Sequence, residues 1–282
     1  MSMSKTVFID YDGTFADRGW VPEAHFAAVR EARRNGHRVL LCTGRPKAML
    51  PDRILNTVFD GLVAAAGGYV EIDGTILADT RFPADLAARA VSVLTSYDVA
   101  FILEAPQALY GPPGIRERMR EILSQAFGPA NPPDAVSDIL SPLRATSHLS
   151  SQSFGKVSVF SSPIPVDELA KLIGPLVGAL PHSVANVRDH GGEIYLRGVN
   201  KAIGMELVSA QLGIRRRDII GVGDGYNDLE MLSHAGTAVV VEGAPADVLA
   251  LADLVVAPPE RAGLVQGFQE LGLTIGGSPR QA

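Results

Sequence analysis

Short apolar runs alternate with segments of helical periodicity at both ends of this 282-residue chain. Val7–Ile9 and Val39–Cys42 have the character of buried strands, and apolar residues recur at helical spacing between them, from Glu23 to Asn35. Near the C-terminus the alternation returns, with a helix predicted at Lys201–Leu212 and a strand at Ile219–Val222. Apolar strands separated by helices are typical of a parallel sheet with helices on both faces. The sequence therefore predicts an α/β fold with a Rossmann-like parallel sheet.

Further elements follow from the same patterns. We expect strands at Leu62–Ala66, Thr237–Val241 and Leu254–Val256, and a short helix at Asn227–His234.

The middle of the chain differs in its pattern of turn-forming residues. Pro/Gly clusters occur at Gly111–Gly114 and Gly128–Pro133, among strand candidates at Val99–Leu103 and Lys156–Phe160. We interpret residues 82–191 as an inserted α/β domain, long enough for its own core, and residues 1–81 and 192–282 as the sheet domain.

Composition excludes several classes of protein. The chain is 46% hydrophobic with a net charge of −6, so it is not intrinsically disordered, and its acidity disfavours nucleic acid as a partner. No apolar run is long enough for a membrane span. Cys42 is the only cysteine, which excludes a disulfide framework, and we interpret it as a core residue. Because the sequence has no signal-peptide pattern, we expect a cytoplasmic protein. We also expect a monomer or a weak homodimer.

Polar clusters follow three of the predicted strands. Carboxyl ends of parallel strands line one crevice, so these residues should converge there. Several carboxylates in one place repel each other unless a cation lies among them, and carboxylate oxygens without His or Cys select Mg²⁺. Such an ion beside a hydroxyl, backbone N–H groups and a lysine suits a phosphate group. The clusters are Asp10–Thr14, Thr43–Gly44 and Gly223–Asp228.

In order, these motifs resemble those of the haloacid dehalogenase (HAD) superfamily, and most closely its Cof-type phosphatases with a large α/β (type IIB) cap. The matching motifs are Asp10-x-Asp12-Gly-Thr14, Thr43-Gly44-Arg45, Lys201 at the start of a helix, and Gly223-Asp224-x-x-Asn227-Asp228. The resemblance covers the chain nearly end to end and implies that residues 82–191 form the cap that determines substrate specificity.

The resemblance also implies catalytic roles. Asp10 would be the nucleophile that becomes an aspartyl phosphate, and Asp12 the general acid and then the general base. Mg²⁺ would be held by the carboxylate of Asp10, the main-chain carbonyl of Asp12, and Asp224, with Asp228 near the ion or bound through water.

The phosphoryl group would have its own ligands. By the same resemblance, Thr43 and the N–H of Gly44 bind the phosphoryl oxygens, Lys201 neutralises their charge, and Asn227 helps to position the group.

We therefore expect a Mg²⁺-dependent phosphatase that hydrolyses a small phosphorylated metabolite, with a sugar phosphate favoured by the resemblance. A phosphomutase on the same scaffold and a non-catalytic sensor of phosphorylated metabolites are the alternatives. The sequence departs from the family pattern at Gly243, where an Asn is usual, and at Ala66–Gly68, which replaces Asn-Gly-Ala. The first departure concerns an outer contact and the second a substrate contact.

Overall fold

The computed structural model describes residues 4–56, 58–127, 133–181 and 190–274. The chain divides into two compact units. Unit 1 comprises Met1–Gly44, Asp52–Leu77 and Asn200–Ala282, and unit 2 comprises Arg45–Pro51 and Ala78–Val199. Unit 2 extends beyond the insertion predicted at 82–191: it includes Arg45–Pro51 and begins at Ala78. It also continues past residue 191, because the strand that begins at Gly192 pairs within its sheet.

Fourteen strands and ten α-helices lie in the described ranges. The strands are β1 (Thr6–Ile9), β2 (Arg38–Cys42), β3 (Gly61–Ala64), β4 (Tyr69–Ile72), β5 (Thr75–Asp79), β6 (Ala100–Glu104), β7 (Leu109–Gly111), β8 (Leu143–Ala145), β9 (Lys156–Ser161), β10 (Val177–Pro181), β11 (Gly192–Leu196), β12 (Ile219–Gly223), β13 (Thr237–Val241) and β14 (Leu254–Val256). The helices are α1 (Glu23–Arg34), α2 (Asp52–Leu55), α3 (Ala84–Ser96), α4 (Ile115–Phe127), α5 (Pro133–Leu140), α6 (Val166–Ile173), α7 (Lys201–Leu212), α8 (Leu229–His234), α9 (Ala246–Leu249) and α10 (Gly263–Glu270).

Unit 1 contains an eight-stranded sheet of order β14-β13-β12-β1-β2-β3-β4-β5. The strands from β14 to β3 are parallel, and β4 pairs antiparallel with β3. Every residue of β1 and β12 is buried, as continuous apolar strands in the middle of a parallel sheet require. The predicted α/β class with a parallel sheet is confirmed.

The strand order reverses between β1 and β12. From β1 the chain crosses through α1 to β2 on one side, and from β12 it crosses through α8 to β13 on the other. Right-handed crossovers running in opposite directions place their helices on opposite faces of the sheet. A crevice opens at such a reversal beyond the carboxyl ends of the strands, and ligands bind there in open α/β sheets.

Two predicted elements differ from the structure. The strand expected at Leu62–Ala66 ends at Ala64, because Ala65 and Ala66 have φ angles of 49° and 53°, in the left-handed region that no strand adopts. The helix expected at Asn227–His234 is divided into a 3₁₀ turn, Tyr226–Asp228, and the α-helix that begins at Leu229.

Unit 2 contains a six-stranded sheet of order β10-β11-β9-β6-β7-β8. Most neighbouring strands are antiparallel, and β7 and β8 are parallel. Two apolar cores flank it: residues of α3 and α6 pack on Phe101, Val157 and Ile194, and residues of α4 and α5 pack on Ala100 and Ile102. This alternation along β6 is the two-residue period of a strand whose faces are both covered.

Among the described residues, no helix is both long enough and apolar enough to cross a membrane.

Candidate active site

The loop after β1 carries the first motif. Asp10 is 4% exposed, and its backbone N–H donates to the carbonyl oxygen of Val222 on β12 at 2.9 Å. The chain then turns back on itself: the N–H of Phe15 donates to the carbonyl oxygen of Asp10 at 3.1 Å, and that of Ala16 to Tyr11 at 2.7 Å. The side chain of Asp10 is thus held at the carboxyl end of β1, where the strand order reverses.

Lys201 joins two of the motifs. Its Nζ lies 2.5 Å from Oδ1 of Asp10 and 2.5 Å from Oδ1 of Asp228, and its side chain is fully buried. Lys201 is the first residue of α7, where the side-chain oxygen of Asn200 accepts a hydrogen bond from the N–H of Ile203. This N-cap determines where the helix begins, and therefore where the ammonium group lies.

Asp224 and Asp228 are fixed by the turn that follows β12. Oδ2 of Asp228 accepts hydrogen bonds from the N–H groups of Asp224, at 3.1 Å, and Gly225, at 3.0 Å. The hydroxyl of Thr14 donates to Oδ1 of Asp224 at 2.8 Å, which connects this turn to the loop after β1.

The carboxylates of Asp10, Asp224 and Asp228 form one cluster, with one oxygen from each residue lying within 4.8 Å of the others. Burial raises the pKa of Asp10 well above its usual value; Lys201 opposes this shift, and the two other carboxylates add to it. Burial and the neighbouring Asp228 raise the pKa of Asp224 to about 6. Burial alone would lower the pKa of Lys201, but Asp10 and Asp228 outweigh it and keep the ammonium charged. Negative charge therefore exceeds positive charge here, and the all-oxygen donor set suits a hard divalent cation.

Thr43 and Gly44 follow β2. Thr43 is buried, and two hydrogen bonds hold its backbone. Its N–H donates to the carbonyl oxygen of Val63 at 2.8 Å, and its carbonyl oxygen accepts from the N–H of Ala66 at 3.0 Å. A Cβ placed on Gly44 would lie 3.4 Å from Nδ2 of Asn227, so the structure brings these two predicted phosphate ligands together.

Asp12 is exposed, as is Asn227, whereas Asp10 is buried. Its charge contributes to the raised pKa of Asp224, so it lies within electrostatic range of the cluster. An exposed carboxyl beside buried carboxylates is able to exchange protons with solvent.

Sequence reasoning missed two contacts of the cluster. Thr14 stands in the first motif, yet its hydrogen bond to Asp224 has no signal in the sequence. Gly13 has a φ of +82°, and a Cβ at this position would lie 2.3 Å from Oδ2 of Asp224. Only glycine allows both that backbone conformation and the close approach of the carboxylate.

The two departures from the family pattern lie in different surroundings. Ala66 donates to Thr43, and a Cβ on Gly67 would lie 2.0 Å from the carbonyl oxygen of Asn200, so this segment packs behind the beginning of α7. Gly243 has a φ of +89° and open space around it. The neighbouring Glu242 pairs with Arg261.

The fold and this site define a class of protein: an α/β protein with a lysine and three carboxylates gathered at the reversal point of a parallel sheet. A family model described as haloacid dehalogenase-like hydrolase matches residues 7–268. The chain belongs to that family, and the resemblance found in the sequence motifs is confirmed.

Curated relatives include the 5-amino-6-(5-phospho-D-ribitylamino)uracil phosphatase YitU of Bacillus subtilis, 28% identical over 94% of this chain and 96% of the relative. Another is a phosphoglycolate phosphatase of Methanospirillum hungatei, 24% identical over 94% of this chain and 95% of the relative. A relative from Streptococcus pyogenes, 24% identical, is longer, and this chain spans 54% of its length.

Solved structures share the fold. One is BT4131, described as a HAD subclass IIB sugar phosphatase, with a TM-score of 0.73, 21% identity and coverage of 96% of this chain and 100% of that chain. A haloacid dehalogenase-like hydrolase of B. subtilis has a TM-score of 0.75, with 22% identity over 95% of this chain and 99% of that chain.

Proposed function

We propose that this protein is a Mg²⁺-dependent phosphatase that hydrolyses a small phosphorylated metabolite through an aspartyl phosphate on Asp10. The observation that carries the proposal is the buried contact of one ammonium group, that of Lys201, with both Asp10 and Asp228. An anionic phosphate is repelled by a carboxylate nucleophile, and this arrangement supplies positive charge where the two must meet.

The metal would be held by the carboxylates of Asp10 and Asp224 and by the main-chain carbonyl of Asp12. Asp228 is engaged by Lys201 and by two backbone N–H groups, which favours a role near the ion, or through water, over direct ligation. When bound, Mg²⁺ would neutralise phosphate charge and lower the pKa of Asp10 and Asp224.

The first half-reaction belongs to Asp10 and Asp12. A carboxylate oxygen of Asp10 forms a bond to phosphorus while the phosphorus–oxygen ester bond breaks, and Asp12 gives its proton to the leaving oxygen. In the second half-reaction Asp12 takes a proton from water, whose oxygen bonds to phosphorus and displaces Asp10. Exposure of Asp12 to solvent supports its change from acid to base.

Phosphate binding would use the residues that follow β2 together with Lys201 and Asn227. Thr43 and the N–H of Gly44 would donate to phosphoryl oxygens, and the approach of Asn227 to Gly44 supports a shared ligand for these residues. The bonds of Thr43 to Val63 and Ala66 hold its backbone in place before substrate arrives. Preorganised donors stabilise a transition state better than mobile ones.

The substrate class rests on the relatives and on the family resemblance. YitU is named for a phosphorylated ribityl compound, and BT4131 is described as a sugar phosphatase. We therefore favour a sugar or polyol phosphate. We also propose that unit 2 is the cap that determines which leaving group is accepted.

A screen of phosphate esters tests the function. Purified protein with Mg²⁺ should release inorganic phosphate from sugar, polyol, nucleotide or cofactor phosphates, and EDTA should abolish turnover until Mg²⁺ is restored. Asp10→Asn should be inactive on every ester. Full turnover in EDTA would overturn the metal assignment, and an isomeric sugar phosphate in place of free phosphate would indicate a phosphomutase.

A further inference from the structure

His25 is a buried histidine of unit 1 that the proposed reaction does not use. It lies in the first turn of α1 and is fully buried, and its Nδ1 is 2.9 Å from the carbonyl oxygen of Phe15. Its ring also packs against the ring of Phe15, with centroids 5.8 Å apart. Since a carbonyl oxygen only accepts hydrogen bonds, Nδ1 must carry the proton.

The other ring nitrogen defines the ionisation state. Among the described residues, Nε2 of His25 has no hydrogen-bond partner. Burial lowers the pKa of His25, although the bond to Phe15 opposes the shift. A charged ring would need to bury a second N–H without an acceptor, which is costly. His25 is therefore neutral and protonated on Nδ1.

Within the described ranges, His25 is the donor to the carbonyl oxygen of Phe15. No backbone N–H in the described part of the chain donates to the oxygen of Phe15. Without His25 this buried acceptor would lose its described donor, and an unsatisfied buried carbonyl is unfavourable. The unpaired Nε2 is thus tolerated because Nδ1 donates the hydrogen bond to the carbonyl oxygen of Phe15.

That carbonyl belongs to the Phe15–Ala16 peptide, and Ala16 bonds to the backbone on either side of Asp12. The N–H of the same peptide, on Ala16, donates to the carbonyl of Tyr11 at 2.7 Å, and the carbonyl of Ala16 accepts from the N–H of Gly13 at 2.8 Å. Tyr11 and Gly13 are the two neighbours of Asp12. Ala16 therefore clamps the backbone on both sides of Asp12, and the bond from His25 fixes the orientation of Ala16's peptide.

We infer that His25 is a positioning residue for Asp12: its Nδ1–H anchors the Phe15–Ala16 peptide and so holds the carboxyl of Asp12 where protons are exchanged with the leaving group and with water. This inference rests on the proposed phosphatase function. In this inference His25 acts through the Phe15–Ala16 peptide and not directly on substrate or metal.

The tautomer is testable without any activity. Long-range proton–nitrogen NMR correlations on the wild-type protein should show a proton on Nδ1 of His25 and none on Nε2. His37 is an internal reference, because its Nδ1 accepts from the N–H of Lys5 at 3.1 Å and the proton must lie on Nε2. A proton on Nε2 of His25 would overturn the inference.

The positioning role is tested by kinetics. His25→Leu removes the donor, and kcat on a sugar or alkyl phosphate should fall by about tenfold to a hundredfold with KM little changed, because Asp12 is misplaced. A nitrophenyl phosphate has a leaving group that needs no proton. With this ester the variant should be slow mainly in hydrolysis of the phosphorylated enzyme, which should produce a burst of nitrophenolate. His25→Asn, whose side-chain N–H is able to replace Nδ1–H, should restore most of the activity.

Controls separate this role from a structural one. His37→Leu removes another buried ring and should leave the leaving-group dependence unchanged. An active wild type with kcat unaltered in His25→Leu, or no recovery in His25→Asn, would overturn this inference alone. A wild type inactive on every ester would overturn the proposed function instead.

Discussion

Lys201 and Asp228 meet at 2.5 Å, and neither side chain has any exposure to solvent. The same ammonium group pairs with Asp10, so one buried cation serves two buried carboxylates. Removing one member of such a set leaves buried charge without compensation, which costs far more than an exposed ion pair.

Lys201→Met should therefore lower the free energy of unfolding by about 3–5 kcal/mol and abolish turnover. Urea denaturation, in the absence of divalent cations, measures the first effect. Adding Asp10→Asn to this variant removes one of the uncompensated charges and should recover part of the stability while leaving the protein inactive. Wild-type stability in the single variant would contradict the charge balance described for the cluster.

The two aspartates of the first motif should differ in their kinetics. Asp10→Asn should form no covalent phosphoenzyme with any ester. Asp12→Asn should retain attack on a nitrophenyl phosphate but lose about 10²–10⁴-fold in hydrolysis of the intermediate, because water still needs a base. The result is a burst of nitrophenolate followed by slow turnover, whereas a sugar phosphate should give no burst.

Mass spectrometry of acid-quenched enzyme decides between the assignments. Asp17→Asn, an acidic residue of the same loop outside the motif, is the matched control and should behave as the wild type. A phosphoryl group on the Asp10→Asn protein, or one mapped away from position 10, would reassign the nucleophile.

Gly13 tests how closely the metal site is packed. Gly13→Ala places a Cβ 2.3 Å from Oδ2 of Asp224 and should displace that carboxylate, weakening Mg²⁺ binding and lowering kcat. Gly36→Ala is a matched control, since its φ of +86° imposes a similar backbone strain with nothing within 4 Å. Isothermal titration should show weaker Mg²⁺ binding for Gly13→Ala than for Gly36→Ala, even if both substitutions lower thermal stability by similar amounts. Equal affinities would refute the steric argument.

A buried ionic network lies in unit 2, and removing one of its members should destabilise that unit. Nζ of Lys156 lies 3.2 Å from Oε2 of Glu104 and 2.8 Å from Oε1 of Glu193, and Ser158 donates to Glu104. Lys156→Met should cost about 3–5 kcal/mol at neutral pH, and the double variant with Glu104→Gln should recover part of the loss. Calorimetry of the three proteins measures both effects, and additive losses would contradict a direct interaction.

The same network predicts a pH dependence. Burial raises the pKa of Glu104 above its usual 4.5, although Lys156 and Ser158 oppose the shift. The folded state thus binds this proton more tightly than the unfolded state, so the contribution to stability is complete below about pH 4.5 and is lost as pH rises through the higher native pKa. The difference in unfolding free energy between wild type and Glu104→Gln should fall over that interval. A difference that rises with pH would show that the ion pair, rather than burial, dominates.

The cap hypothesis predicts a change in preference without a change in metal binding. Tyr110 lies on β7, half-buried against the apolar core of unit 2. Tyr110→Phe removes one hydroxyl and should alter the ratio of kcat/KM among esters with different leaving groups while Mg²⁺ affinity stays constant. Tyr97→Phe, at the end of α3, is the control. Equal effects on all esters would contradict a role of unit 2 in substrate preference.

The sequence by itself determined the sheet and the order of the motifs, because both are local. Continuous apolar runs such as β1 and β12 form buried strands wherever they occur, and a polar residue directly after each strand must lie at its carboxyl end. The sequence alone therefore assigns Asp10 and Asp224 to one edge of the sheet. The motif order was sufficient for the family resemblance.

Tertiary structure decided the contacts that act across long stretches of chain. Lys201 reaches Asp10 over 191 positions, and no periodicity encodes that meeting. The bond from Thr14 to Asp224, the close approach at Gly13 and the proton on Nδ1 of His25 are also absent from local patterns. Each depends on which groups share a buried space, where a polar atom must find a partner or remain unsatisfied, and only the packed chain determines that choice.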